Sequence, residues 1–193
     1  MSSPEPPPRA AWRHVDAREG FEVVFVRSDD DGYCLVGGTT AVEQSEAWIV
    51  DYAITVSAGW LTRSAVVSGQ SAAGRGELRL ETDEAGRWWI DGSAAPHLDG
   101  CLDVDLESSA LTNAFPSHRL GLEVGQVADA PAAYVRALDL TVERLEQRYS
   151  RLDNDGNHER YRYSAPAFSF ECELIYDESG LVVAYPGIAV RVA

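Results

Sequence analysis

In Trp48-Ile49-Val50-Asp51-Tyr52-Ala53-Ile54-Thr55-Val56-Ser57 every even-numbered residue is large and apolar, while the odd positions are Ile, Asp, Ala, Thr and Ser. A period of two matches the spacing of side chains on one face of a β-strand, so this run predicts a long strand with one buried face. Turn signals then recur at short intervals: Asp29 to Gly32, Ala58-Gly59, Asp83 to Gly86, Asp91-Gly92, Asp153 to Asn157 and Asp177 to Gly180. Between them, strand-like runs fall at 21–27, 33–38, 60–68, 77–82, 87–91, 101–106, 134–149, 160–164, 167–176 and 181–184. So many strands joined by short turns predict a mainly β fold with one large antiparallel sheet. A sheet of that size must curl, split or close, so the pattern alone gives a curved sheet or an incomplete barrel.

Helix signals are sparse. Thr112 to Leu120 is a helix candidate, with Thr112 or Asn113 as its cap, and part of 139–152 is ambiguous. There Glu143/Gln147 and Arg144/Arg148 stand at helical i,i+4 spacing, but Val135 to Val142 reads as strand. The thin apolar stripe and the flanking hairpin signals favour strand. Met1 to Ala11 is Ser, Pro, Glu and Ala with a single Arg9, which predicts a disordered tail ahead of one domain over 12–193.

Composition narrows function. A 45% hydrophobic content supports a packed core, and a formal net charge of −15 argues against nucleic acid and anionic membrane surfaces as partners. All sixteen basic residues are arginines scattered among acids. The lack of lysine excludes Schiff-base chemistry and the Gly-Lys phosphate loop. Cys34, Cys101 and Cys172 are odd in number and widely spaced, which predicts three buried free thiols rather than a zinc or redox pair. No run spans a bilayer and the N-terminus lacks a signal-peptide core, so a cytoplasmic protein without stable membrane insertion is expected.

The residues that carry chemistry centre on 103–120. On a strand, Cys101, Asp103 and Asp105 share one face, and Leu102, Val104 and Leu106 the other. The aspartates face either solvent or a concave site, where Arg63 or Arg119 would pair with them in planar, bidentate fashion. Aromatic residues able to cover a sugar face are Trp60, Trp88, Trp89, Tyr149, Tyr161, Tyr163 and Tyr185, although core packing is the commoner role for any one of them. Adjacent Trp88 and Trp89 must face opposite ways. Asn113 is open to capping or ligand contact. Carboxyls at i and i+2 on a strand lie about 6.6 Å apart, which permits glycoside hydrolysis without suggesting it. Asp153-x-Asp155-x-Asn157 fails as a calcium loop, with His158 where glycine is needed. Neither a metal-ligand spacing nor a cofactor motif is present, so none is expected.

Several of these pieces resemble the bacterial putative glycolipid-binding family. They are Asp103-x-Asp105, Leu111-Thr112-Asn113, Phe115-Pro116-x-x-Arg119-Leu120, Gln147-x-Tyr149-x-Arg151 and Gly180-Leu181-Val182-Val183-x-Tyr185-Pro186-Gly187. Trp60-x-x-Arg63 and Trp88-x-x-Asp91-Gly92 also fit, so the resemblance runs from Trp12 to Val192. Where that family favours Pro-Phe before Thr-Asn and a basic pair before the leucine, this chain has Ala110-Leu111 and His118-Arg119. The resemblance implies a spiral β-roll wrapped around one helix and a glycolipid or other amphipathic lipid held in its groove. The candidate ligand-binding set is Trp60, Arg63, Asp91, Asp103, Asp105, Asn113, Arg119, Tyr149, Tyr161 and Tyr185. Two other readings stay open: a small hydrolase acting on a glycosylated or acyl substrate through Asp103 and Asp105, and an interaction module that forms a homodimer.

Overall fold

The computed structural model describes residues 5–83 and 85–193. The first half is a run of hairpins: β1 (Arg9–His14), β2 (Glu19–Asp29), β3 (Gly32–Glu43), β4 (Glu46–Ser57), β5 (Thr62–Ser71), β6 (Gly74–Thr82), β7 (Trp88–Ile90) and β8 (Ser93–Ala94). Then come β9 (Asp103–Leu106), a 3-10 turn (Leu111–Asn113) running into α1 (Ala114–Leu120), β10 (Val127–Asp129), β11 (Ala132–Val135) and β12 (Val142–Leu145). The chain ends with β13 (Arg148–Asp155), β14 (His158–Ala165), β15 (Phe170–Tyr176), β16 (Val182–Tyr185) and β17 (Ala189–Arg191).

Fourteen of these strands form one antiparallel sheet in the order β10-β13-β14-β15-β16-β17-β1-β2-β3-β4-β5-β6-β7-β8, which has two edges and is not a closed barrel. In β4 the alternation holds: Trp48, Val50, Tyr52, Ile54 and Val56 are all buried. The sheet curls around the helical segment. Phe115 of α1 packs 5.9 Å from the Trp60 ring in the β4–β5 turn, while the Tyr176 hydroxyl of β15 donates to the Asn113 carbonyl at 3.1 Å. Strands far apart in the order therefore meet on one helix, which is the expected β-roll. Of the adjacent tryptophans, Trp88 is buried and Trp89 is half-buried on the other face.

Four details depart from the expectations. The tail is shorter than 1–11, because β1 begins at Arg9 and pairs with both β2 and β17. Alternation explains this: Ala10, Trp12 and His14 are buried, and the Trp12 indole N–H donates to the Val182 carbonyl at 2.7 Å. Residues 1–4 lie outside the described residues. The run 134–149 is two separate strands after β11, both β rather than helix, since β12 belongs to a second sheet, β12-β11-β9. In that sheet β9 and β11 are parallel, a pairing that needs a long crossover, and the crossover carries α1. Finally, only Cys101 is buried; Cys34 and Cys172 are half-buried, and all three thiols are free. Among the described residues no helix is long and apolar enough to cross a membrane.

Candidate functional site

The short parallel strand β9 carries Asp103 and Asp105, and both are buried. A buried carboxylate is costly without partners. Asp105 finds two: Oδ1 accepts from the Thr112 hydroxyl at 2.7 Å, and Oδ2 accepts from the Gln147 amide at 2.6 Å. The same Gln147 nitrogen lies 3.0 Å from the Tyr163 hydroxyl. Gln147 occupies the step between the two sheets, just before β13, and its carbonyl accepts from Ala130 N–H at 2.8 Å. Burial pushes the Asp105 carboxyl up to about 6, against the downward pull of the Thr112 and Gln147 hydrogen bonds.

Asp103 is held differently. Arg119 of α1 forks onto it, Nε to Oδ1 at 3.1 Å and Nη2 to Oδ2 at 2.5 Å. Both carboxylate oxygens are thus spent on one guanidinium, and the pair anchors α1 to β9. Asn113 does not cap α1 through its side chain. Its Oδ1 accepts instead from the Tyr149 hydroxyl at 3.0 Å. Tyr149 is fully buried, and Tyr161 stands against it with ring centroids 6.4 Å apart.

Above this network lies a cavity of ≈ 230 Å³. Its lining includes the buried polar residues Asp105, Ser109 and Asn113. Tyr134, Tyr163, Phe168, Phe170 and Tyr185 make an aromatic wall, and Leu106, Leu145 and Ile188 add apolar surface. Tyr163 and Tyr185 stand nearly perpendicular at 6.0 Å, and Phe170 lies 6.0 Å from Tyr185. Arg18, Glu107 and Arg136 complete the lining. The Arg136 guanidinium sits 5.3 Å from the centres of both the Tyr134 and the Phe168 rings and pairs with Glu143 at 2.7 Å. Phe168 is 41% exposed, so the cavity meets solvent beside it, whereas Asp105 and Asn113 are buried. A wider, shallower depression of ≈ 710 Å³, lined by Phe21, Trp48 and Ile49, holds none of the polar network.

Of the ten candidate residues, three line the cavity: Asp105, Asn113 and Tyr185. Asp103, Arg119 and Tyr149 support it from below, and Tyr161 supports Tyr149. The other three lie elsewhere. Trp60 stacks flat on His118 at 3.9 Å and packs against Phe115, which makes it part of the α1 interface. That contact leaves His118 half-buried, and desolvation lowers its imidazole to about 4. Arg63 does not reach the aspartates. Thr55 pairs with Ser64 and Val56 with Thr62, so Arg63 is the extra residue of a β-bulge and is exposed. Asp91 and Gly92 have φ of 50° and 77° and link β7 to β8, a two-residue hairpin turn of the kind that favours Asp-Gly. The Asp91 carboxylate accepts from the Arg79 N–H of β6 at 2.8 Å, which ties the turn to the neighbouring strand.

Glu22, absent from the candidate set, is fully buried on β2. Its carboxylate accepts from the Tyr52 hydroxyl at 2.7 Å, from Ala110 N–H at 2.7 Å and from the Ser109 hydroxyl. Burial raises its pKa, and the hydrogen bonds oppose that rise. Through Ser109 this acid fixes one part of the polar lining of the cavity. Gln147 was also missed as a site residue, although it stands in the recognised signature, and Tyr163 was noted among the aromatics but left out of the candidate set.

The family described as "Putative glycolipid-binding" matches residues 9–191. A crystal structure of a DUF1089 family protein from Pseudomonas aeruginosa is 36% identical, with a TM-score of 0.77, over 89% of this chain and 92% of that one. No curated protein matches. A match that spans all but the extreme ends places this chain in the putative glycolipid-binding family.

Proposed function

We propose that the protein binds an amphipathic ligand, a glycolipid or related lipid, and that the cavity over Asp105 receives the ligand's polar end. One observation carries this reading: a single cavity joins the buried polar residues Asp105, Ser109 and Asn113 to a wall of five aromatic rings. Sugar rings are hydroxyl-rich at the edge and apolar on the face, so they suit such a pairing of hydrogen-bond acceptors and aromatic surface. At ≈ 230 Å³ the cavity is below the roughly 300–1,000 Å³ of sites that engulf a drug-sized molecule. It therefore takes one ring or a short chain, and the remainder of the ligand lies outside, beyond Phe168. The roll interior does not form the long alkyl groove expected, because Trp12, Leu35, Ile54, Leu80 and Trp88 fill it.

The same geometry weighs against hydrolysis by two carboxyls. Asp105 reaches the cavity, whereas Asp103 is committed through both oxygens to Arg119.

Native mass spectrometry of protein purified without detergent tests the proposal, followed by organic extraction. Wild type is expected to carry, or to take up from a glycolipid panel, a mass of several hundred daltons or more. Ala165→Leu, which fills the cavity from the end of β14, is expected to lose it. A bare mass for wild type after the whole panel would sink the reading.

A further inference from the structure

Arg18 stands in the turn between β1 and β2, which is docked on the β16–β17 turn by Val15 N–H to the Ile188 carbonyl at 3.0 Å and Ala17 N–H to the Gly187 carbonyl at 3.3 Å. Its side chain is 6% exposed and lines the cavity. A guanidinium has five N–H donors and is never neutral in a protein. Arg18 makes one protein hydrogen bond, from Nη1 to the Glu107 carbonyl at 3.1 Å. Among the described residues its buried Nε has no hydrogen-bond acceptor: Glu43 Oε2, its ion-pair partner, lies 3.6 Å away, beyond hydrogen-bond reach. The face of Trp48, 5.3 Å from its centre, stabilises the cation without accepting those protons.

The other charges at the cavity are better served. Arg136 pairs with Glu143, one Glu107 oxygen accepts from Ala137 N–H at 2.8 Å, and both Asp105 oxygens are engaged. The wall thus holds acids whose oxygens accept hydrogen bonds from the protein, and one buried cation, ion-paired with Glu43 only at 3.6 Å, whose Nε proton has no acceptor among the described residues. The Arg18 charge is felt nearby: together with burial it holds His14 down at about 4.

We infer that the polar end of the ligand carries an anion, a phosphate, sulfate or carboxylate, which Arg18 receives as its missing partner. This rests on the amphipathic-ligand reading above and adds a head-group charge to it. A planar fork meeting a tetrahedral or carboxylate anion gives short, charge-assisted hydrogen bonds.

Calorimetry at pH 7 with octyl phosphate, octyl glucoside and inorganic phosphate tests the inference on wild type, Arg18→Gln and Arg18→Lys. Charge-assisted hydrogen bonds lead us to expect octyl phosphate to bind wild type about 10- to 100-fold more tightly than octyl glucoside. Arg18→Gln should erase that preference, bringing octyl phosphate down to the affinity the same variant shows for octyl glucoside, and Arg18→Lys should keep part of it. Equal affinity for the two octyl compounds in wild type would overturn the anion and leave an amphiphile site standing. Binding of neither would overturn both readings. Inorganic phosphate binding as tightly as octyl phosphate would assign the anion to a free ion and overturn the lipid source. Should Arg18→Gln fail to fold, the wild-type comparison still decides.

Discussion

Asp105→Asn should make the protein more stable at neutral pH and flatten its stability profile between about pH 4 and 6. The ordinary carboxyl value of 3.8 becomes about 6 in the folded protein, a difference of about 2 pH units. At ~1.4 kcal/mol per unit, ionising Asp105 costs the folded state about 3 kcal/mol. The sign follows from proton counts. Between those two values the folded chain holds a proton on Asp105 and the unfolded chain does not, so stability falls as pH rises through this window. The loss is complete above about 6. An amide cannot ionise, and the network can accept it. If Gln147 turns its amide over, Oε1 accepts from the new Nδ2 and from the Tyr163 hydroxyl, while Thr112 still donates to the other atom. Urea unfolding of both proteins at pH 4.5, 5.5, 6.5 and 7.5 measures this. Glu22 is also displaced upward by burial and contributes to both profiles alike, so the difference between the two curves isolates Asp105. Parallel curves would refute the reasoning, because they would mean that Asp105 ionises as readily folded as unfolded.

Arg119→Met leaves Asp103 buried without its partner and should destabilise the protein by about 3–5 kcal/mol in urea, with Asp103→Asn added to it restoring part of the loss. Gly180→Ala should cost more than 1 kcal/mol by the same measurement, since φ there is +74° and the new Cβ would meet the His118 ring at 2.4 Å, a ring already pinned by Trp60.

How much of this was legible from the sequence depended on where the partners of each residue lie. In β4 the alternation and the burial agree residue by residue, because a strand in a hairpin meets neighbours close in sequence. The shared face of Asp103 and Asp105 was legible because it rests only on the two-residue period of the strand itself, although the partner of β9 lies about thirty residues away. Arg63 was not, because a bulge breaks the parity that any pattern reading relies on. Glu22 was hidden by its surroundings: Phe21, Val23 and Phe25 look like the buried face of β2, but they are 53%, 41% and 56% exposed, and Glu22, Val24 and Val26 point inward. What decides that choice is Ser109 and Ala110, 87 and 88 residues further along the chain. The aromatic wall was half legible, since tyrosines on β14 and β16 were noted, but nothing local brings Tyr134 and Phe168 beside them.

The strand order has a consequence for how such a chain is made. β1 lies in the middle of the large sheet, joined to β17 by the pairs Trp12–Arg191, Arg13–Val190 and His14–Ala189. During synthesis β1 to β8 can pair among themselves as they emerge, yet the second edge of β1 stays bare until residues 189–191 exist. A bare edge invites pairing with a neighbouring chain, and charged side chains on it discourage that. Arg9 and Arg13, exposed on β1, are placed to do so through that interval. The cavity straddles the same seam, with Arg18 on one side and Tyr185 and Ile188 on the other. The cavity therefore comes into being only with the last strands, and a nascent or truncated chain, however well its early hairpins fold, lacks the wall that Tyr185 and Ile188 supply.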